Sequence, residues 1–110
     1  MSQVTASKFG FLTNHAQVLL CIASDPVIRL REIAAQVGIT ERAAHRIIGE
    51  LEEAGYVTRR REGRRNRYTI EPHVPLPDPL ARDRDVRDLL AIVGSASPLV
   101  SAGESNRRAR

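Results

Sequence analysis

Six arginines fall within the nine residues Arg59 to Arg67, against a single carboxylate, Glu62, so this stretch alone carries a net charge of +5. A guanidinium stays charged at any physiological pH. It presents a planar fork of donors that fits phosphate oxygens or the acceptor edge of a guanine. At this spacing Arg59, Arg60, Arg61, Arg64, Arg65 and Arg67 repel one another. The arrangement therefore costs stability until a polyanion relieves the repulsion, and released counterions then add favourable free energy. A smaller basic set lies upstream. On a helix advancing about 100° per residue, Arg42, His45, Arg46 and Gly49 share one face and Ala44, Ile47, Ile48 and Leu51 the opposite one. The second set is a core stripe. The first puts three basic side chains in the opening turns and a residue without a side chain at Gly49, where a ligand's backbone can come close.

Each feature alone has a plainer reading. Arg42 and Arg46 suit a solvated helix face, and an arginine-rich edge discourages strand pairing. Where the charge sits argues for the polyanion. Residues 1–58 carry five basic and six acidic groups, and residues 68–110 six of each, so the chain's +4 lies almost wholly in the Arg59–Arg67 segment. A local cluster in an otherwise balanced chain points to nucleic acid or an anionic surface rather than to solubility.

Other chemistries fall away. The longest apolar run, Val18 to Ala23, is six residues, against the roughly 20 a membrane-spanning helix needs. The N-terminus lacks the features of a secretory leader, so the expected location is the cytoplasm, with no membrane partner. The lone Cys21, amid apolar neighbours, reads as a small core residue. His15, His45 and His73 are far apart and make neither a metal site nor a catalytic dyad. No phosphate-cradling glycine motif, nucleophile elbow or titratable cluster is present. The expectation is a non-enzyme without cofactor.

The elements that must position the basic groups follow from caps, breakers and periodicity. Residues 1–12 are a lead-in. Thr13 is an N-cap for a first helix, Asn14–Ser24, apolar nearly all round and so buried on more than one side; Asp25-Pro26 ends it. Val27–Leu30 reads as a short extended piece and Arg31–Val37 as a second helix, stopped by Gly38. Thr40 caps a third helix, Glu41–Ala54, with Glu41 at its positive dipole end and Gly55 as the stop. Tyr56–Arg61 and Asn66–Ile70 are the rails of a hairpin turning at Glu62-Gly63-Arg64-Arg65, anchored by Val57, Tyr68 and Ile70. Ala34 supplies the small contact that two steeply crossing helices need, and Gly38 the left-handed turn between them.

At this point Thr40-Glu41-Arg42-Ala43-Ala44-His45-Arg46-Ile47-Ile48, Leu51-Glu52-Glu53-Ala54-Gly55-Tyr56-Val57 and Arg61-Glu62-Gly63-Arg64-Arg65-Asn66-Arg67-Tyr68 together resemble the winged helix-turn-helix of MarR-type and ArsR-type bacterial regulators. The resemblance covers residues 13–70. It implies a three-helix core plus a wing, which with the C-terminal helix read from the residues below makes a mainly α fold with a small β-hairpin (α+β). It also implies sequence-specific binding to double-stranded DNA, usually as a homodimer. On that basis Thr40, Glu41, Arg42, His45, Arg46 and Gly49 belong to the major-groove helix. Arg59, Arg61, Gly63, Arg64, Arg65, Asn66 and Arg67 belong to the wing, on phosphates or in the minor groove. The chain lacks the long N-terminal dimerisation helix of MarR proteins and the cysteine-rich metal motif of metal-sensing ArsR proteins.

Beyond residue 70, four of the six prolines fall within Glu71–Pro79, and 71–82 reads as an extended connector. A last helix lies within 83–94, around Arg84–Val93, with Val86, Leu89, Leu90 and Val93 as its apolar stripe; 95–110 reads as a disordered tail. The stripe packs on the first helix, within one subunit or across a two-fold axis, and Leu19, Val86, Leu89, Leu90 and Val93 are the candidate dimer contacts. The leading function is a DNA-binding transcriptional regulator, most simply a repressor. The alternatives are a winged helix that grips an acidic protein and a sequence-independent nucleic-acid binder. No segment reads as a dedicated effector domain, so the effector ligand is left unknown.

Overall fold

Two threonines start the helices that matter most. The Thr13 hydroxyl accepts from the Ala16 amide at 3.1 Å and opens α1 (Asn14–Ser24); the Thr40 hydroxyl accepts from the Ala43 amide at 3.0 Å and opens α3 (Glu41–Glu53). Between them lies α2 (Leu30–Val37), whose first turn is closed by Glu32 accepting from the Arg29 amide at 3.1 Å. The chain leaves α2 through Gly38 at φ +84°, where the Gly38 and Ile39 amides both bond the Ala34 carbonyl. A side chain at that left-handed position would be strained. The computed structural model describes residues 10–94, so the predictions for the first nine residues and for the tail from 95 onward lie outside the described residues.

After α3 the chain turns at Gly55, with the Tyr56 amide bonding back to the Leu51 carbonyl at 2.9 Å, and enters a two-stranded antiparallel ribbon. Its strands are β1 (Val57–Glu62) and β2 (Arg65–Ile70), in the register Val57 opposite Ile70, Arg59 opposite Tyr68 and Glu62 opposite Arg65. The turn is two residues, Gly63-Arg64, with only Gly63 at positive φ (+64°). Glycine first in a two-residue loop is the choice that matches the twist of the strands. A 3-10 turn (Pro79–Ala81) and α4 (Val86–Gly94) follow.

The core is aliphatic. Val18 and Ile22 of α1, Ile33 of α2, Ala44 and Ile47 of α3, Val57 of β1 and Val86 of α4 are almost fully enclosed. Ala34, the small residue expected where α2 meets α3, is buried as well, and Tyr68 fixes the ribbon from the other strand. The fold is the expected one, α+β: three helices, a wing and a fourth helix.

Several element bounds shift by a residue, and three differences from the reading of the sequence have a local physical cause. Val27–Leu30 is not an extended strand. Asp25 folds it into a turn, accepting from the Val27 amide through its side chain and from Ile28 through its carbonyl, and Pro26 supplies the fixed φ that such a turn favours. One ladder-like bond remains, Tyr68 N–H to the Pro26 carbonyl at 2.8 Å. The last helix begins at Val86, not at Arg84, because Asp85 and Asp88 cap each other: each carboxylate accepts from the other's amide, at 3.0 and 3.1 Å. The proline-rich connector is tied down by backbone hydrogen bonds. The amides of Leu76, Val86 and Arg87 bond the carbonyls of Arg84, Val74 and Pro72, which brings the segment back against the start of α4.

Candidate nucleic-acid interface

The burial of Ala44, Ile47, Ile48 and Leu51 sets the rotation of α3. With that stripe inward, Arg42, His45, Arg46 and Gly49 are all exposed on the side away from the core, as their angular positions require. Arg42 and His45 make no hydrogen bond or ion pair among the described residues. Arg46 Nη1 lies 3.3 Å from Glu50 Oε2, one turn on. Gly49 has nothing within 4 Å of where a Cβ would stand, so no packing within the described chain demands a glycine there. Thr40 is committed to its cap through the Ala43 amide, and Glu41 is exposed in the first turn.

The ribbon lies beside this face. His45 and Ile48 of α3, Arg29 at the entry to α2, and Arg59, Arg64, Arg65, Asn66 and Tyr68 of the wing line one cleft of about 390 Å³. Its floor is apolar and its rim carries four arginines. Arg29 was not foreseen. It is a lone arginine before a helix, and only the wing folding across the Asp25 turn brings it to the others. Arg65 braces that arrangement, reaching 38 residues back to the Val27 carbonyl at 3.4 Å.

Not every wing arginine is spare. Glu62 serves two of them, Arg67 at 3.0 Å and Arg60 at 3.8 Å, on the ribbon face opposite Val57 and Tyr68. Arg59 is held at 3.1 Å by Glu52, from the last turn of α3. Arg61 bends over the tip to donate to the Gly63 carbonyl at 3.1 Å. Arg64, at the turn itself, has no such partner among the described residues. The wing's charges are thus spread by carboxylates rather than crowded together, a detail that composition cannot show.

Glu50 is the other residue whose part was missed. Besides Arg46 it accepts a 2.7 Å hydrogen bond from His15 Nε2 on α1, and its carboxyl is held below the usual glutamate range, first by that bond and then by Arg46. No local signal pairs His15 with a residue 35 positions away; the contact exists because α1 crosses α3. Cys21 is buried, its thiol pushed up by burial and directed at Gln36 Oε1 at 3.4 Å, which fits a core residue. Among the described residues no group of three His, Cys, Asp or Glu could hold a metal ion, and no helix is long and apolar enough to cross a membrane.

An exposed basic helix face with an arginine-bearing ribbon at its flank is the arrangement of a winged helix. Residues 13–58 match the family of winged helix-turn-helix DNA-binding domains. The match runs from the Thr13 cap through α3 into β1 and so includes the whole helix-turn-helix. No curated protein matches the chain. The fold and the match over residues 13–58 support a DNA-binding domain, without selecting a MarR-type or ArsR-type subfamily.

The residues read as dimer contacts divide in two. Leu19 and Val86 are buried inside the chain, where α4 packs on α1. Leu89, Leu90 and Val93 are half-buried along α4, and Ile92 beside them is exposed.

Proposed function

We propose that the chain is a sequence-specific regulator of transcription, most simply a repressor that occludes a promoter. The opening turns of α3 enter the major groove, where Arg42, His45 and Arg46 meet base edges. The wing lies on the flanking backbone, with Arg64 at its tip directed to phosphate or to the minor groove, and Arg59, Arg61, Arg65, Asn66 and Arg67 behind it. The observation that carries this reading is the shared cleft: His45 of α3 and Arg59, Arg64 and Arg65 of the wing border one concavity. A single duplex therefore engages both elements at once.

One half-site contact of this size gives little discrimination, so two copies reading a near-palindromic site is the economical arrangement. Of the candidate contacts, Leu89 and Val93 of α4 stay partly exposed and available for pairing. Sedimentation at tens of micromolar should show a dimer that Val93→Arg weakens; a stable monomer at that concentration would remove the constitutive dimer. Selection of bound sites from randomised duplexes tests the function itself. Recovery of a defined motif with two half-sites is expected. Enrichment of no motif, with equal retention of every duplex, would leave a sequence-independent binder, and no retention at low salt would end the DNA reading.

A further inference from the structure

A second cleft, of about 340 Å³, opens between α1, the end of α3, the proline-rich segment and α4. Leu19, Leu51, Tyr56, Leu76, Val86 and Leu89 form its walls. Its volume and apolar walls with a few polar groups at the mouth are those of a small-molecule site. The mouth is acidic. Glu50 and Asp78 stand there with His15, and no lysine or arginine lines the cleft, in a chain with 17 of them. The Tyr56 hydroxyl is spent on the Pro75 carbonyl at 2.7 Å, so the ring serves as wall, and the Asp78 carboxylate, which makes no hydrogen bond or ion pair among the described residues, is left to meet a head group. Asp78 is felt inside: after burial, its charge is the next cause raising the Tyr56 phenol.

We propose that this cleft binds a small molecule with an apolar body and a cationic amine head, seated against Glu50 and Asp78. Glu50 also links the cleft to the interface. Its Oε1 takes the bond from His15 and its Oε2 holds Arg46, on the exposed face of α3. An ammonium at the mouth competes for that carboxylate and frees Arg46 for DNA. Amine and DNA then strengthen each other's binding by the same factor, as linkage requires. This coupling rests on the DNA reading above, whereas the cleft itself does not. Because the Arg46–Glu50 pair is exposed, releasing it is worth no more than about a fivefold change in affinity.

Octylammonium, tested on the full chain by amide chemical-shift titration without DNA, is a suitable probe, with octanoate as the control of opposite charge. Saturable shifts at Leu19, Leu51, Tyr56, Val86 and Leu89 are expected, with octanoate at least tenfold weaker. Glu50→Gln and Asp78→Asn should each weaken octylammonium severalfold. Failure to saturate, equal binding of octanoate, or shifts at these residues that follow protein concentration alone, as a second copy in the cleft would give, overturns the site. With DNA present, saturating octylammonium should raise affinity about two- to fivefold in the natural chain and not in Glu50→Gln. Unchanged affinity with a filled cleft overturns the coupling. If no duplex is bound at all, the DNA reading fails while the titration still decides the cleft.

Discussion

Replacing Gly49 with alanine separates the demands of the fold from those of the interface. Gly49 is the ninth of the thirteen residues of α3, its φ is not positive, and a Cβ there would touch nothing within 4 Å. The chain alone therefore gains from the change. Alanine lowers the backbone entropy lost on folding and is favoured over glycine in a helix interior by about 0.5–1 kcal/mol. For a domain of this size that raises Tm by about 2–8 °C. The interface should respond in the opposite sense. Gly49 lies on the face of Arg42, His45 and Arg46, and a methyl inserted where a DNA strand approaches the helix is an overpacking. Such insertions cost about 1–3 kcal/mol, or about 5- to 150-fold in affinity. Thermal denaturation and a titration of labelled cognate duplex on one preparation measure both. A more stable variant that binds DNA as well as the natural chain would show that this face does not meet the duplex beyond its second turn. A less stable variant would refute the reasoning about the helix itself.

Other substitutions test the remaining parts of the interface. Arg42→Ala or Arg46→Ala should cost about 1–3 kcal/mol on the selected site and relax its sequence preference, read by competition between cognate and mutated duplexes. Equal losses on every duplex would move these residues from base edges to phosphate. Arg64→Ala or Arg65→Ala should weaken all duplexes alike and reduce the slope of log affinity against log salt by about one for each phosphate left without its arginine, measured by repeating the titration across salt concentrations. Acid unfolding should involve Glu50. Its folded-state pKa is lowered, so the stability it contributes is present above the ordinary glutamate value and is lost as pH falls through the lowered one. Glu50→Gln should remove that part of the acid limb, and an unchanged limb would show that the His15 contact does not persist in solution.

Local rules carried most of the fold into the sequence. Thr13 and Thr40 are caps and Gly38 a left-handed stop because these side chains satisfy or permit what helix ends require, and each acts within a few residues. The stripe Ala44, Ile47, Ile48, Leu51 set which side of α3 faces out, so the exposed basic set was legible before any packing was known. The boundaries that moved depend on competition between neighbouring signals. Asp25 could have let an extended run begin; its side chain closes a turn on Val27 instead, and only the Tyr68 amide reaches that segment. Arg84 belongs to a charged run that suits a helix start, but Asp85 and Asp88 satisfy each other and place the start at Val86. Arg29 in the cleft and His15 on Glu50 were not legible, since both arise from elements far apart in the chain.

The acidic residues change the meaning of the wing's charge. Read as a sequence, the +5 stretch stores repulsion that only a polyanion can relieve. In the structure Glu52 adds a carboxylate from outside the stretch, on Arg59, and Glu62 sits against Arg67 and Arg60, so part of that repulsion is already offset within the chain; Glu50 does the same for Arg46 on α3. These pairs are exposed, and pairs of that kind contribute at most about 1 kcal/mol each. They are strong enough to keep long side chains near the ribbon and the helix, and weak enough to be exchanged for phosphate, which brings counterion release that a carboxylate does not. The carboxylates therefore act less as a source of stability than as placeholders. They lower the cost of concentrating arginine on a small ribbon and hold it close to where the backbone of a duplex would take it over.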